Sequence, residues 1–369
     1  MYCYAVITKP VTKSWEPRVT YTTRSIGENQ LAWHLDMGGK TTEVLLCDGK
    51  LDNGWLYNFA FSARWEGMAL LGEEKAEWPG VTLTLVSPEG DHRQIVELFP
   101  PEEMKTEHFG ITIGNNTFVG RVTPEGLPAG YDVKIEFEDF GLELSADVVN
   151  TGTLFSDDEH GLGYYDAAKD IGWTWWPLAP RSTVTATTKL AGRTETSSGI
   201  GYLEKDIANL DALEMSDWTS TWYWGHAWTD EYTLNWSVQY GHENFNYRPF
   251  ASLVVWKGSD PVFVTRTPMM SPIKFEWDDV LNVAYPSHFT ILGTHGDFEV
   301  FLRITDSTLF ERFPLISRPE QQGENMGAIL RSFGDVDIEI TRLGKVEKLK
   351  GRSTFENGQM VRWIPIPKS

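Results

Sequence analysis

Apolar and polar residues alternate along this chain with a period of two. In residues 55–65, Trp55, Tyr57, Phe59 and Phe61 fall on one side and Leu56, Asn58, Ala60 and Ser62 on the other. Alternation with aromatic residues on one side describes a half-buried β-strand. If that strand lines a barrel, its four aromatics face the cavity. Upstream, residues 1–30 are Thr-rich and weakly patterned, and read as an entry segment. Residues 31–46 read as two short strands around Met37-Gly38-Gly39, and Asp48-Gly49-Lys50-Leu51-Asp52-Asn53-Gly54 as a turn-rich connection. Residues 81–86 alternate and end at Ser87-Pro88-Glu89-Gly90, a hairpin-type turn with its return strand at 94–99. Alternation continues through 110–119, 131–138 and 142–149.

The second half follows the same spacing. Residues 182–190 are rich in Thr and Val, and 222–238 predict two aromatic strands around Thr229-Asp230-Glu231. Strands are expected over 250–256, 262–267, 273–277, 288–292, 298–304, 335–340, 344–351 and 359–364. Residues 323–330 are the best candidate for a short helix or irregular segment. No long helical period emerges, so the fold class is all-β, as sandwich or barrel. No sequence repeat is readable, yet each half is a string of about eight strands, as two tandem barrels would give.

The chain has 369 residues, a length suited to two domains. Its net charge of −20 argues against nucleic acid and anionic membrane surfaces as partners. No run of about 18 apolar residues predicts a membrane-spanning helix, and no secretory signal is visible, so the expected location is cytoplasmic. Cys3 and Cys47 form neither a disulfide framework nor a zinc pattern. The sequons at Asn115 and Asn235 read as chance matches.

Sixteen tryptophans direct attention to the middle of the chain. Tyr164-Tyr165-Asp166 precedes Trp173, Trp175 and Trp176, a cluster ended by Pro177. A strand start between Gly199 and Gly201 follows, with Tyr202, Glu204, Lys205 and Asp206, and then Trp222-Tyr223-Trp224-Gly225-His226. Large aromatics are usually core. Mixed with carboxylates, a lysine and a histidine, they describe the wall of an apolar pocket holding a few placed polar groups. Trp55, Tyr57, Phe59, Tyr164, Trp175, Trp222 and Trp224 are the candidate substrate-binding residues. Tyr202, Glu204, Lys205 and His226 are the candidate catalytic ones. Trp173, Trp175 and Trp176 cannot all face one side of a strand. No metal-ligand spacing and no nucleophile elbow is present, and Asp157-Asp158-Glu159 reads as an exposed loop.

The run from Gly199 to Asp206, followed by Trp222-Tyr223-Trp224-Gly225-His226, resembles the signature of the lipocalin-like fungal Diels–Alderases. That family is related at fold level to the carotenoid 1,2-hydratase/AttH group. Its pattern reads roughly G-x-G-Y-H-D-K-N-W-G and then S-W-Y-W-G-H. Trp55-Leu56-Tyr57-Asn58-Phe59, the segment from Phe109 to Phe118, and Gly351-Arg352-Ser353-Thr354-Phe355-Glu356 also match, so the resemblance spans most of the chain. Leu203-Glu204 stands where the family has His-Asp, which removes the histidine and keeps a carboxylate. Asp206-Ile207-Ala208 replaces Asn-Trp-Gly.

The resemblance implies two tandem lipocalin-like antiparallel β-barrel domains, 1–198 and 199–369, with the boundary within about 180–220 and a pocket between the barrels or in a barrel mouth. It implies a cofactor-independent intramolecular [4+2] cycloaddition of a hydrophobic polyene in polyketide-type biosynthesis. Such a reaction needs a folded conformer, for which positioning can supply up to ~7–11 kcal/mol, and a hydrogen bond to the conjugated carbonyl. Two alternatives stay open. One is hydration of an isoprenoid or carotenoid alkene, kept alive by Glu204. The other is a non-catalytic binder of a hydrophobic small molecule. Substrate identity, stereochemistry and oligomeric state are not legible.

Overall fold

In a computed structural model of the chain, the alternation is realised as β-strands in two antiparallel sheets. The structure describes residues 32–33, 41–64, 78–107, 109–155, 161–166, 171–209, 219–242, 246–315 and 327–360. The expected entry segment, the Met37-Gly38-Gly39 turn, the Asp157–Glu159 loop and residues 361–364 lie outside these.

The described residues divide into two compact units, 32–209 and 219–360. The first unit holds β1 (Thr41–Leu51), β2 (Leu56–Ser62), β3 (Gly80–Val86), β4 (His92–Leu98), β5 (Met104–Glu107), β6 (Gly110–Ile113), β7 (Asn116–Val122), β8 (Pro128–Phe137), β9 (Leu142–Asn150), β10 (Tyr164–Asp166), β11 (Ile171–Leu190) and β12 (Arg193–Asn209). The second holds β13 (Thr219–Trp228), β14 (Tyr232–Gly241), β15 (Pro249–Lys257), β16 (Asp260–Thr265), β17 (Met269–Asp278), β18 (Val283–His295), β19 (Phe298–Leu315), β20 (Gly327–Arg342) and β21 (Lys345–Gln359).

The two sheets share one topology. The first runs β4-β3-β2-β1-β12-β11-β9-β8-β7-β6-β5, with β10 on β11, and the second runs β16-β15-β14-β13-β21-β20-β19-β18-β17. In each, the first strand pairs with the last, so a meander closes back on its own start. The expected repeat therefore exists in topology. The all-β, tandem lipocalin-like fold is the one found.

Each unit has its own apolar core. In the first, Phe59, Phe61, Phe109, Phe118 and Tyr131 pack ring against ring, with centroids 4.9 to 6.3 Å apart. In the second, Leu234, Trp236, Leu253, Phe289 and Phe355 form the equivalent packing. Full burial of each such side chain contributes about 1.5–3 kcal/mol.

Several local expectations change. Residues 48–50 are strand: Gly49 pairs with both Tyr57 and Gly201. A Cβ at Gly49 would meet the Ile200 carbonyl oxygen at 2.2 Å and the Tyr57 hydroxyl at 2.4 Å. The glycine serves close approach there, and the turn is confined to Asp52–Gly54. Residue 199 lies inside β12, opposite Leu51, so residues 199–209 belong to the first unit. β11 runs straight through Pro177 and Pro180, which fall at its two register shifts, where a missing ladder N–H is tolerated. Residues 327–330 are strand, held between β19 and β21.

Candidate functional site

In the first unit, β12 sorts its residues by parity, as any strand must. Leu203, Lys205 and Ile207 face the apolar core, opposite Cys47, Leu45 and Glu43. Tyr202, Glu204 and Asp206 face the other way, opposite Asp48, Leu46 and Val44. The expected cluster of Glu204 and Lys205 is thereby split across the sheet.

On the face away from the core, Tyr202 and Trp175 are fully buried and Glu204 is 3% exposed. The Tyr202 hydroxyl donates to Glu204 Oε2 at 2.6 Å, and Trp175 Nε1 donates to the same oxygen and to the Tyr202 hydroxyl at 3.1 Å. Trp173 stacks on Trp175 at 5.8 Å, with rings 11° from parallel. Burial, reinforced by the charge and hydrogen bond of Glu204, holds the Tyr202 phenol well above its usual range. It is therefore a hydrogen-bond donor at any ordinary pH. Trp176 turns into the core, which divides the three indoles as strand geometry requires.

Lys205 sits on the core side with no exposed side-chain surface. Its ammonium pairs with Glu43 at 2.6 Å, donates to the Ala32 carbonyl at 2.6 Å and lies 5.1 Å from the Trp33 ring centroid. Burial pulls its pKa down, and Glu43 pulls it partly back. This is an ion pair under the sheet, tying residues 32–33 to β12.

In the second unit, β13 presents Trp222, Trp224, His226 and Trp228 on one face, all buried. The His226 ring meets Trp228 at 4.3 Å and Trp224 at 5.5 Å, edge to face. Cross-strand pairing puts Trp224 in one row with Ser237 and Ser252 on one side, and with Glu356, Arg331 and Glu311 on the other. Arg331 bridges Glu311 and Glu356, and Trp222 Nε1 donates to Glu356 Oε1 at 2.6 Å. The Arg331 guanidinium lies 5.8 Å from the Trp224 ring centroid. Two carboxylates share one cation in a site that is almost wholly buried.

Other candidates fall elsewhere. Tyr57 and Phe59 belong to the packed core of the first unit, where their rings touch each other and Phe61. Trp55 also sits in that core, with its indole N–H on Glu195 at 3.0 Å and Arg193 5.8 Å from its ring centroid. The backbone of Tyr164 pairs with Trp173, and its side chain lies outside the described residues. Tyr202, Glu204 and Trp175 thus meet in the first unit, and Trp222, Trp224 and His226 in the second. A shallow concavity over β7–β9, lined by Thr117, Val119, Asp132 and Lys134 among others, contains none of the candidates. Among the described residues, no group of three His, Cys, Asp or Glu side chains is placed to hold a metal.

Sequence reading missed Glu311 and Arg331 and took Glu356 only as part of a closing motif. The available signal was Arg331 itself, a lone charge in the apolar run Ala328–Phe333.

Glu204 and Glu356 occupy equivalent strands, β12 and β21, the last of each unit. Each accepts an indole N–H from a tryptophan paired with the residue two positions on: Trp175 opposite Asp206, and Trp222 opposite Gly358. The indole comes from β11 in one unit and β13 in the other. A phenol and an indole donate to the first carboxylate, and a guanidinium joins the indole at the second.

No family model matches the sequence, and no curated protein matches it either. Solved structures do match. A putative AttH from Nitrosomonas europaea aligns over 96% of this chain and 100% of its own, with TM-score 0.61 and 15% identity. CghA with Sch210972 aligns over 88% of this chain and 89% of its own, with TM-score 0.58 and 8% identity. Kievitone hydratase from Nectria haematococca aligns over 91% and 96%, with TM-score 0.55 and 11% identity. At such identities the likeness is one of fold.

Proposed function

We propose that this chain is an enzyme acting on carbon–carbon double bonds of an apolar small molecule, with Glu204 as the acid of a hydration. The observation that carries this reading is the setting of Glu204. It is buried, and a phenol and an indole both donate to its Oε2. That arrangement directs the proton of the acid form to Oε1. Alkene protonation needs a positioned acid screened from water. The Oε1 proton goes to one alkene carbon, a water oxygen bonds to the other, and a proton of that water returns to Oε1. The substrate gains one water, and no cofactor is required. The fold shared with kievitone hydratase and the putative AttH supports this reading.

A second reading has its own support in the aromatic ladder Trp222, Trp224, His226 and Trp228. Such a wall suits a polyene held in one folded conformer for intramolecular [4+2] cycloaddition. There Glu204 or Tyr202 would hydrogen-bond a conjugated carbonyl, with no net proton transfer. The resemblance to fungal Diels–Alderases and the fold shared with CghA support it. The packed aromatic interior of the first unit speaks against a carrier cavity there.

The test is mass-resolved turnover by purified protein without cofactor, offered an acyclic carotenoid and, separately, a linear polyenoyl tetramic acid. A product heavier by one water, lost in Glu204→Gln, supports hydration. A product of unchanged mass, formed with stereochemistry different from that in buffer, replaces it with cycloaddition. Substrates returned unchanged by folded protein sink the hydration of these two classes.

A further inference from the structure

We infer that the second unit carries a binding site of its own for a neutral polar group, built on Asn235 beside the β13 indoles. The site stands apart from the Glu204 reading, which concerns the first unit. Asn235 sits in the middle of β14, opposite His226 on one side and Val254 on the other, and is wholly buried. Neither the oxygen nor the nitrogen of its carboxamide has a hydrogen-bond partner among the described residues. The same holds for neighbours on that face. Ser237 and Ser252 lie directly opposite each other, yet neither hydroxyl has a partner. Thr233 Oγ1 and Trp228 Nε1, also a cross-strand pair, are likewise without one.

Buried polar groups in native proteins are almost always hydrogen-bonded. One exception is ordinary, whereas five neighbouring residues on one face of three adjacent strands make a constellation aimed at a guest. Its chemistry limits the guest. The carboxamide offers a donor and an acceptor side by side, the hydroxyls offer both, and the indole offers a donor. No Asp, Glu, Lys or Arg belongs to the Asn235 row, and the carboxylates of the neighbouring row are already held by Arg331 and Trp222. The complementary group is uncharged, donates and accepts at adjacent atoms, and is flanked by flat apolar surface. An amide or hydroxy-carbonyl attached to a hydrophobic body has these properties. Phosphates, carboxylates and metal cations do not.

The experiment measures binding of 4-phenyl-2-pyrrolidinone, an aromatic lactam with adjacent donor and acceptor, to the full chain by tryptophan fluorescence and saturation-transfer NMR. Saturable binding is expected, weakened about tenfold or more in Asn235→Leu and several-fold in the milder Ser252→Ala, and unchanged in Glu204→Gln. Thermal unfolding adds a sign. Removing polar atoms that serve a guest leaves the free protein as stable as before or more so, and abolishes the stabilisation by the lactam. Absence of saturable binding to the wild-type chain overturns the site, as does equal affinity in both β14–β15 variants. A lowered unfolding temperature of the free Asn235→Leu and Ser252→Ala proteins, with no lactam effect, assigns these atoms to ordered water only and overturns it too. Because binding is read directly, loss of turnover at Glu204 leaves the result intact.

Discussion

The indole nitrogen of Trp222 donates to Glu356 Oε1 across 2.6 Å, from strands 134 residues apart in sequence. Beneath that indole lies Gly358, where a Cβ would come within 1.9 Å of the ring. A bare backbone is what lets the ring lie flat enough to reach the carboxylate. Gly358→Ala should push Trp222 off Glu356 and cost about 1–3 kcal/mol, as overpacked interiors do. A shift in tryptophan emission together with a lowered denaturant midpoint is the expected result. A midpoint within error of wild type would contradict it.

Arg331 holds Glu311 and Glu356 together with almost no solvent contact. Arg331→Met is expected to destabilise the second unit by about 3–5 kcal/mol, since it strands two buried carboxylates. Replacing Arg331, Glu311 and Glu356 together by Met, Leu and Leu should recover much of that loss. Urea unfolding of the single and triple variants checks both statements.

Glu204→Gln keeps the shape and one acceptor of the first-unit cluster but removes its acid. Hydration should fall by about 10²–10⁴, the usual share of general acid catalysis, with little change in unfolding temperature. Tyr202→Phe should lower activity less, since it removes one donor to Glu204 and leaves the Trp175 donor. A cycloaddition would tolerate Glu204→Gln better and suffer in Trp222→Ala and Trp224→Ala.

Tyr57, Tyr131 and Tyr202 are buried, and burial raises each phenol well above its usual pKa near 10. The folded state keeps these protons when the unfolded chain has lost them. Their contribution to stability is therefore complete below pH 10 and is lost as pH rises beyond it. In an alkaline titration, phenolate absorbance should rise in two stages, with the buried tyrosines appearing only as the chain unfolds. A single smooth titration of all 13 tyrosines would refute this.

Lys205 behaves with the opposite sign, because burial lowers its pKa below 10.5. Between the lowered folded value and 10.5 the unfolded chain binds more protons, so this lysine makes stability rise with pH in that window. Lys205→Met should flatten that part of the pH–stability curve. An unchanged slope would mean that Glu43 fully offsets the burial.

Alternation alone sufficed for most strands, because a residue's face follows from its parity. Tyr57, Phe59 and Phe61 were legible as one side of β2, though what they face is a packed core. Parity also separates Glu204 from Lys205, a division that grouping residues by chemistry concealed. Turn residues misled at Gly49, which sits in a strand, and the strand start read at Gly199 lies inside β12. At Gly49 two backbones and a tyrosine come close, and glycine answers that need as well as it answers a turn.

Local pattern was enough to read the β architecture and the aromatic endowment of β13, since both depend on the order of residues along a strand. Tertiary structure decided which residues meet. Register is set by pairing between distant strands, and a shift of two residues would preserve every face while changing every neighbour. That is why the Glu204 cluster was partly visible, its partners Tyr202 and Trp175 lying 2 and 29 residues away. The Glu311–Arg331–Glu356–Trp222 network and the unpartnered Asn235 face emerged only when the strands were laid side by side.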